Sequence, residues 1–517
     1  MSAVAPLPIA RPETAHPLSD EILIGKDILE LLTGAMYADP LTIYREYVQN
    51  AADSIDAARD ADLPAGEGFG VTIALDRASR SVRIRDNGAS IRTRDFVRTL
   101  TAIGASGKRN KNLRGFRGVG RLSGLGYCQE IFFRGRAEGD RQISELRWDG
   151  RKLRELLRDP AYTGDLSMLV RSAVEVRKFD DAAYPARFFE VELRKVSRLR
   201  GDLLLNDDAI RAYLAQVAPV PFHPDFALGN RIATFLSDRG VRAPIDIRIE
   251  GDTQPIFHGA RSQIIFSEKL VDPIDSVEFI EFRGQDGDID AFGWLVEHSY
   301  LGAVPRKAGF GGLRLRAGNI QVGNELILSP LYSEPRFATW AIGEIHVCSP
   351  RILPNGRRDE FEAGVHYAHL QDEMSILTKR ITQTLRDRSI GRNRLRRVRE
   401  DILYAEQWLD QARGDRLPPS MLARIRQIVD QRLQAAQKLL ERLPTEREDV
   451  VDFKQRLKTA ASRRTRLFGA EDTGRTKDRS AKDKALSVAL SVVLEHARTP
   501  EAGLALSRHI LQAFGEA

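Results

Sequence analysis

Apolar positions along this chain follow two rhythms, one in its first two-thirds and another in its last third. Ile28, Leu31, Leu32 and Ala35 recur at i, i+3, i+4 and i+7, which predicts an amphipathic helix ended by Asp39-Pro40. A longer helix over 41–59 follows. Tyr44, Tyr47, Val48, Ala51 and Ile55 share one of its faces, and Glu46, Asn50 and Asp53 share the other, at spacings of four and three. Strand patterns come next at 71–75, 81–85, 130–133 and 188–193, the second alternating strictly. A further mixed region carries strand patterns at 245–249, 291–296 and 313–322. Beyond 364 the period becomes helical throughout. Leu395, Val398, Ile402, Ala405, Leu409 and Ala412 alternate in steps of three and four, a coiled-coil seam that Pro418-Pro419 breaks. Leu422, Ile425, Val429, Ala436, Leu439 and Leu443 hold a similar register on the return, so an antiparallel helical hairpin is expected.

These patterns divide the chain into a proline-interrupted flexible arm (1–20), a first α/β domain (21–204), a second α/β domain (205–365) and a helical hairpin region (366–462). A polar linker (463–484) and a C-terminal helix within 485–517 complete it. The fold class is thus α+β and multidomain. A length of 517 residues is consistent with several domains, and 42% hydrophobic with 29% charged residues excludes wholesale disorder and fibrous architecture. Two cysteines, Cys128 and Cys348, cannot form a disulfide framework or a cysteine zinc site, which points to a reducing cytoplasm. No signal-peptide pattern and no run of eighteen apolar residues occurs, so no membrane association is expected. The net charge of +7 permits an anionic partner. A dense basic stretch spans 379–399 (Lys379, Arg380, Arg386, Arg388, Arg392, Arg394, Arg396, Arg397, Arg399), where nucleic acid could bind. Asp387, Glu400 and Asp401 dilute it and no aromatics interleave for base stacking.

The chemistry-bearing residues lie in the first domain. Asp86-Asn87-Gly88 ends an alternating strand, and the pattern at 93–103 is helical, so the turn serves a strand-to-helix junction rather than a hairpin. A glycine-rich run follows, first Gly104 to Arg109 and then Gly115-Phe-Arg-Gly118-Val-Gly120-Arg-Leu-Ser-Gly124-Leu-Gly126. Glycines let backbone N–H groups approach phosphate oxygens closely. A dinucleotide fingerprint is excluded because a basic loop, not a strand, precedes Gly118, and a Walker A loop because Arg109 stands where Ser or Thr is required.

Glu46-x-x-x-Asn50-x-x-Asp53, then Asp86-x-Gly88, then Gly115-x-x-Gly118-x-Gly120 together resemble the signature of the GHKL ATPase superfamily. That superfamily contains gyrase, the heat-shock protein 90 chaperones of the HtpG type, sensor histidine kinases and MutL. The resemblance implies an α/β sandwich of the Bergerat type that holds ATP between helices and sheet. It assigns Asp86 to the adenine amino group, Gly88 to close backbone approach to the base, and Asn50 to magnesium through its side-chain oxygen. Glu46 becomes the general base that polarises the attacking water, and Asp53 supports the base-binding end. Gly115, Gly118 and Gly120 contact the phosphates, with Ser106 and Lys108 as further contacts from a mobile lid. The segments 313–320, 340–347 and 353–361 are similar to the heat-shock chaperone middle domain, a transducer-like domain whose loop arginine reaches the γ-phosphate. Arg358 matches it, with Arg357 the adjacent alternative. Ser90 replaces the family's second glycine after the aspartate, and Ala105 stands where the chaperones carry a lid lysine. The resemblance covers 20–362.

Such an ATPase works as a clamp, implying ATP and magnesium as ligands and closure of a homodimer through the 395–443 hairpin or the last helix. Two occupants are consistent with the sequence: protein clients, as for heat-shock protein 90 chaperones, or nucleic acid, as for the MORC-like ATPases.

Overall fold

The computed structural model describes residues 39–66, 68–103, 120–199, 201–414, 417, 419–443, 448–469, 481–497 and 499–515. The arm and the helix expected before Asp39 lie outside the described residues, as does the segment 104–119. The chain divides into two units, 1–379 and 380–517.

In the first unit, helix α1 (Thr42–Asp60) is buried on both of its faces. Its apolar stripe of Tyr44, Tyr47, Val48, Ala51 and Ile55 packs on Val71, Ile73, Val82, Ile84, Ile131, Phe133 and Val191 of one sheet. The opposite stripe is not solvated as an isolated amphipathic helix would be, since Glu46 and Asp53 are also buried. The sheet comprises β1 (Gly70–Asp76), β2 (Ser81–Asp86), β3 (Glu130–Arg136), β4 (Ile143–Asp149), β5 (Val174–Phe179), β6 (Phe188–Arg194) and β7 (Asp246–Ile249). Their order is β5-β4-β3-β6-β2-β1-β7, antiparallel except for the β1–β7 edge. Short helices α2 (Phe96–Thr101), α3 (Gly150–Arg158) and α4 (Leu166–Ala173) complete this layer. The expected β2-to-helix junction is present, with α2 shorter than the 93–103 pattern. The sheet's other face is a charged lattice, in which Arg134 donates to Glu145 (2.6 Å), Glu190 (2.9 Å) and Glu192 (2.6 Å). Glu145 of β4 is thus a buried carboxylate, which interrupts the apolar pattern of that strand.

The expected boundary at 204/205 cuts through this core. Strand β7 pairs in parallel with β1, and Ile245, Ile247 and Ile249 join the α1 cluster, as do Ile210 and Leu214 of α5 (Asp207–Val217). After α6 (Gly229–Asp238), a second sheet is built from β8 (Gln263–Ser267), β9 (Leu270–Arg283), β10 (Ile289–His298), β11 (Gly312–Ala317), β12 (Ile320–Val322) and β13 (Ile342–Val347). Its order is β12-β11-β13-β10-β9-β8. The single strand expected over 313–322 is a hairpin, because Gly318 and Asn319 both adopt positive φ (58° and 61°) and fold it back. Arg316 of β11 donates to the Gln216 carbonyl at the end of α5 (2.8 Å) and to Glu344 of β13 (2.5 Å), anchoring the second sheet on the first layer.

Helix α7 (Val365–Gly414) runs out of the first unit into the second. The hairpin exists, with α8 (Pro419–Leu440) as its return arm. Its seam is consumed internally. Leu395, Val398 and Ile402 pack on Ala436, Leu440, Val450 and Phe453, while Ala405 and Leu409 pack with Ile425, Val429 and residues of the terminal helices. The expected linker 463–484 is helical at its start, where α9 (Glu448–Phe468) extends into it; residues 470–480 lie outside the described residues. The expected last helix is two, α10 (Ala481–His496) and α11 (Pro500–Ala513), because the Thr499 side chain caps Ala502 N and Pro500 fills the first helical turn.

Candidate active site

Strand period fixes the first functional group. Val82, Ile84 and Asp86 alternate on β2, so Asp86 lies on the inward face beneath α1, only 4% exposed. Its carboxylate accepts the Gly88 N–H at 2.9 Å and the Ser54 hydroxyl. Burial outweighs both bonds and pushes its pKa up to about 7. The turn then docks on the helix: Ala89 N–H donates to the Ser54 carbonyl (2.9 Å) and Ser90 N–H to Ser54 Oγ (3.2 Å). Gly88 is required by this docking, because a Cβ there would lie 2.5 Å from the Ser54 carbonyl carbon and 2.6 Å from Ile55 N. Its close approach in the structure is therefore to α1. Gly88→Ala is expected to cost on the order of 3 kcal/mol through backbone overlap, read as a lowered thermal midpoint by calorimetry. Ser90, in the place of a family glycine, holds the left-handed conformation at φ 60° and donates to the Phe188 carbonyl (2.7 Å).

A cavity of about 250 Å³ opens between α1 and the sheet, with Asn50, Asp53, Ser54, Asp86, Phe133 and Arg121 in its wall. The structure thus brings together Asn50, Asp53 and Asp86, as the sequence expected. Glu46 lies one helical turn before Asn50, 8% exposed, and its Oε1 accepts Arg45 Nη2 at 3.3 Å. Gly120 sits against the same carboxylate, so closely that an added Cβ would lie 2.2 Å from Glu46 Oε2. The Tyr47 hydroxyl fixes this turn by donating to the Arg121 carbonyl and accepting from Gly124 N–H, both at 3.2 Å. Ser106, Lys108, Gly115 and Gly118 lie outside the described residues.

The arginine loop follows β13. Arg45 Nη2 donates to the Arg357 carbonyl at 2.8 Å, so one buried guanidinium holds both Glu46 and this loop. Arg358 is buried at φ 54° and its Nη1 lies 3.5 Å from the Ala317 carbonyl, whereas the Arg357 side chain is exposed and pairs with Asp359 (3.1 Å). Sequence reasoning passed over Arg45, Ser54 and Arg121. Of these, Arg45 carried a readable signal, a basic residue beside the expected base on a helix face that proved buried.

For magnesium, no group of three or more acidic, histidine or cysteine side chains able to hold a metal occurs among the described residues. The Asn50 carboxamide in the cavity wall fits the alternative, in which magnesium keeps few protein ligands and completes its shell with phosphate oxygens and water. No helix among the described residues is long and apolar enough to cross a membrane. In the basic stretch, Arg394 donates to the Arg442 carbonyl (3.2 Å), and Arg399 lies over the Phe453 ring.

In the first unit a buried carboxylate and an amide thus share a cavity wall, with a second buried carboxylate one helical turn away against a glycine turn. Residues 44–160 match the family described as histidine kinase-, DNA gyrase B- and HSP90-like ATPase. Among curated proteins, the chain is similar to the chaperone protein HtpG of Rickettsia bellii (strain OSU 85-389), 36% identical over 100 residues covering 18% of this chain and 16% of that protein. It is also similar to HtpG of Rickettsia rickettsii (strain Sheila Smith), 28% identical over 145 residues, covering 25% and 23%. HtpG of Citrobacter koseri is 28% identical over 142 residues, covering 24% and 23%. The matches therefore span less than a quarter of these relatives' lengths.

Proposed function

We propose that this chain binds and hydrolyses ATP and uses the cycle as a conformational clamp on protein partners. The observation that carries the reading is Asp86, held ionisable at the floor of the α1 cavity, with Asn50 and Asp53 in the same wall and Glu46 one turn away. In this reading the Asp86 carboxylate accepts the adenine amino group, and Asn50 supplies the hard oxygen for a magnesium ion that screens the phosphates. The Glu46 carboxylate, fixed by Arg45, orients and deprotonates the attacking water. Arg358 or Arg357 completes the site from the loop that Arg45 holds against α1, its planar guanidinium matched to phosphate oxygens. Because Arg358 is buried against the Ala317 carbonyl, it would act after a shift of this loop. Arg358→Ala is expected to slow turnover at least tenfold while ATP affinity changes less than threefold; loss of affinity without loss of maximal rate would refute the role.

A protein partner is favoured by the similarity of the ATPase region to proteins named as chaperones. Self-association is proposed through the terminal helices, where Val488, Val492 and Leu506 are exposed, since the hairpin seam is already buried. The test is phosphate release from ATP by the purified chain, alone and with an unfolded protein or duplex DNA. Stimulation by unfolded protein supports the clamp reading, and stimulation by DNA alone, steeply lost with salt, replaces it with a nucleic-acid clamp.

A further inference from the structure

Arg121 is the one cationic residue in the described wall of the α1 cavity, which otherwise presents the carboxylates of Asp53 and Asp86. Its backbone is pinned, with the carbonyl accepting the Tyr47 hydroxyl at 3.2 Å directly after the turn at Gly120 that abuts Glu46. Its side chain makes no hydrogen bond or ion pair among the described residues. Burial lowers its pKa, and no carboxylate offsets that effect. Two other desolvated arginines of this unit meet carboxylates: Arg134 meets three, and Arg316 meets Glu344 besides backbone carbonyls. A guanidinium partly withdrawn from water, with no carboxylate paired to it among the described residues, is better satisfied when an anion comes within its reach.

We infer that Arg121 is the side-chain anchor for the phosphate chain of the bound nucleotide, contributing charge and a planar donor pair that backbone N–H groups of a glycine turn do not. This rests on the ATP-binding reading and deepens it. The Arg121 guanidinium offsets the repulsion a polyphosphate would meet from Asp53 and Asp86, and it makes affinity depend on phosphate content. The site then favours the triphosphate over the nucleoside through a residue separate from those that read the base.

The test is a calorimetric titration of adenosine, AMP, ADP and ATP into wild type, Arg121→Ala and Arg121→Lys. Arg121→Ala is expected to weaken ATP at least tenfold, the usual scale for a lost charge-assisted phosphate contact, while adenosine affinity stays within twofold. Arg121→Lys, which keeps the charge and loses the fork, is expected to recover part of the loss. Arg121→Met keeps the packing of the stem and serves the same purpose if the alanine variant does not fold. Equal losses for adenosine and ATP would show a merely structural residue and overturn the inference, as would unchanged ATP affinity. A wild type that binds neither adenosine nor ATP would instead refute the nucleotide reading itself.

Discussion

Asp86→Asn is expected to abolish nucleotide binding and yet make the nucleotide-free protein more stable at neutral pH. The carboxylate has a pKa near 4 in an unfolded chain and about 7 in the fold, where burial disfavours its charge. Between those values the folded protein retains a proton that the unfolded chain has released, so stability falls as pH rises through about 4 to 7. A shift of this size corresponds to about 4 kcal/mol at most. Asparagine carries no such penalty and still accepts the Gly88 N–H, but its amide hydrogens need partners, leaving an expected gain of about 1 to 2 kcal/mol at pH 8. The gain should vanish near pH 4, which thermal melts at the two pH values will show. Binding carries the opposite sign. An adenine N–H donor favours the ionised carboxylate, so ATP affinity of the wild type should rise from pH 6 to about 7 and then level off. A variant less stable than wild type at pH 8, or still able to bind ATP, would contradict this account of Asp86.

The second large effect concerns Glu46. Glu46→Ala should retain ATP affinity within a few-fold and lose turnover by at least a hundredfold, the scale on which a positioned general base acts. The carboxylate is placed for that role by two restraints visible in the structure, the Arg45 guanidinium at 3.3 Å and the Gly120 turn against its other oxygen. Removing it takes the Glu46 carboxylate away from Arg45, and Arg45 also holds the Arg357 loop, so a loss in the alanine variant has two routes. Glu46→Gln separates the two. It keeps an oxygen for Arg45 but cannot take a proton, and it should be as inactive as alanine while melting closer to wild type. A glutamine variant with substantial turnover would remove Glu46 as the base.

The elements that carry the candidate site were legible because each is specified locally. The 3.6-residue period placed Glu46, Asn50 and Asp53 on one face of α1, and the two-residue period of β2 placed Asp86 at its end. Long-range pairing was not legible. The four-residue β7 joins β1 in parallel across well over a hundred residues, so nothing near 204 announced that the first sheet was incomplete. Charged positions misled in a consistent way. The polar stripe of α1 resembled a solvent-facing surface, and Arg45 and Arg121 were passed over, because periodicity reports which positions avoid water and not which charges are buried beside a cavity. Two departures did have local signals. Thr499-Pro500 is a helix start inside the region taken as one helix, and Gly318-Asn319 is a hairpin turn inside the region taken as one strand.

A calorimetric titration of ATP with magnesium into the wild-type chain at pH 7.5 tests directly whether the α1 cavity is a nucleotide site. One ATP per chain is expected, with adenosine competing for the same site. The absence of binding heat, or binding that persists unchanged in Asp86→Asn, would contradict it.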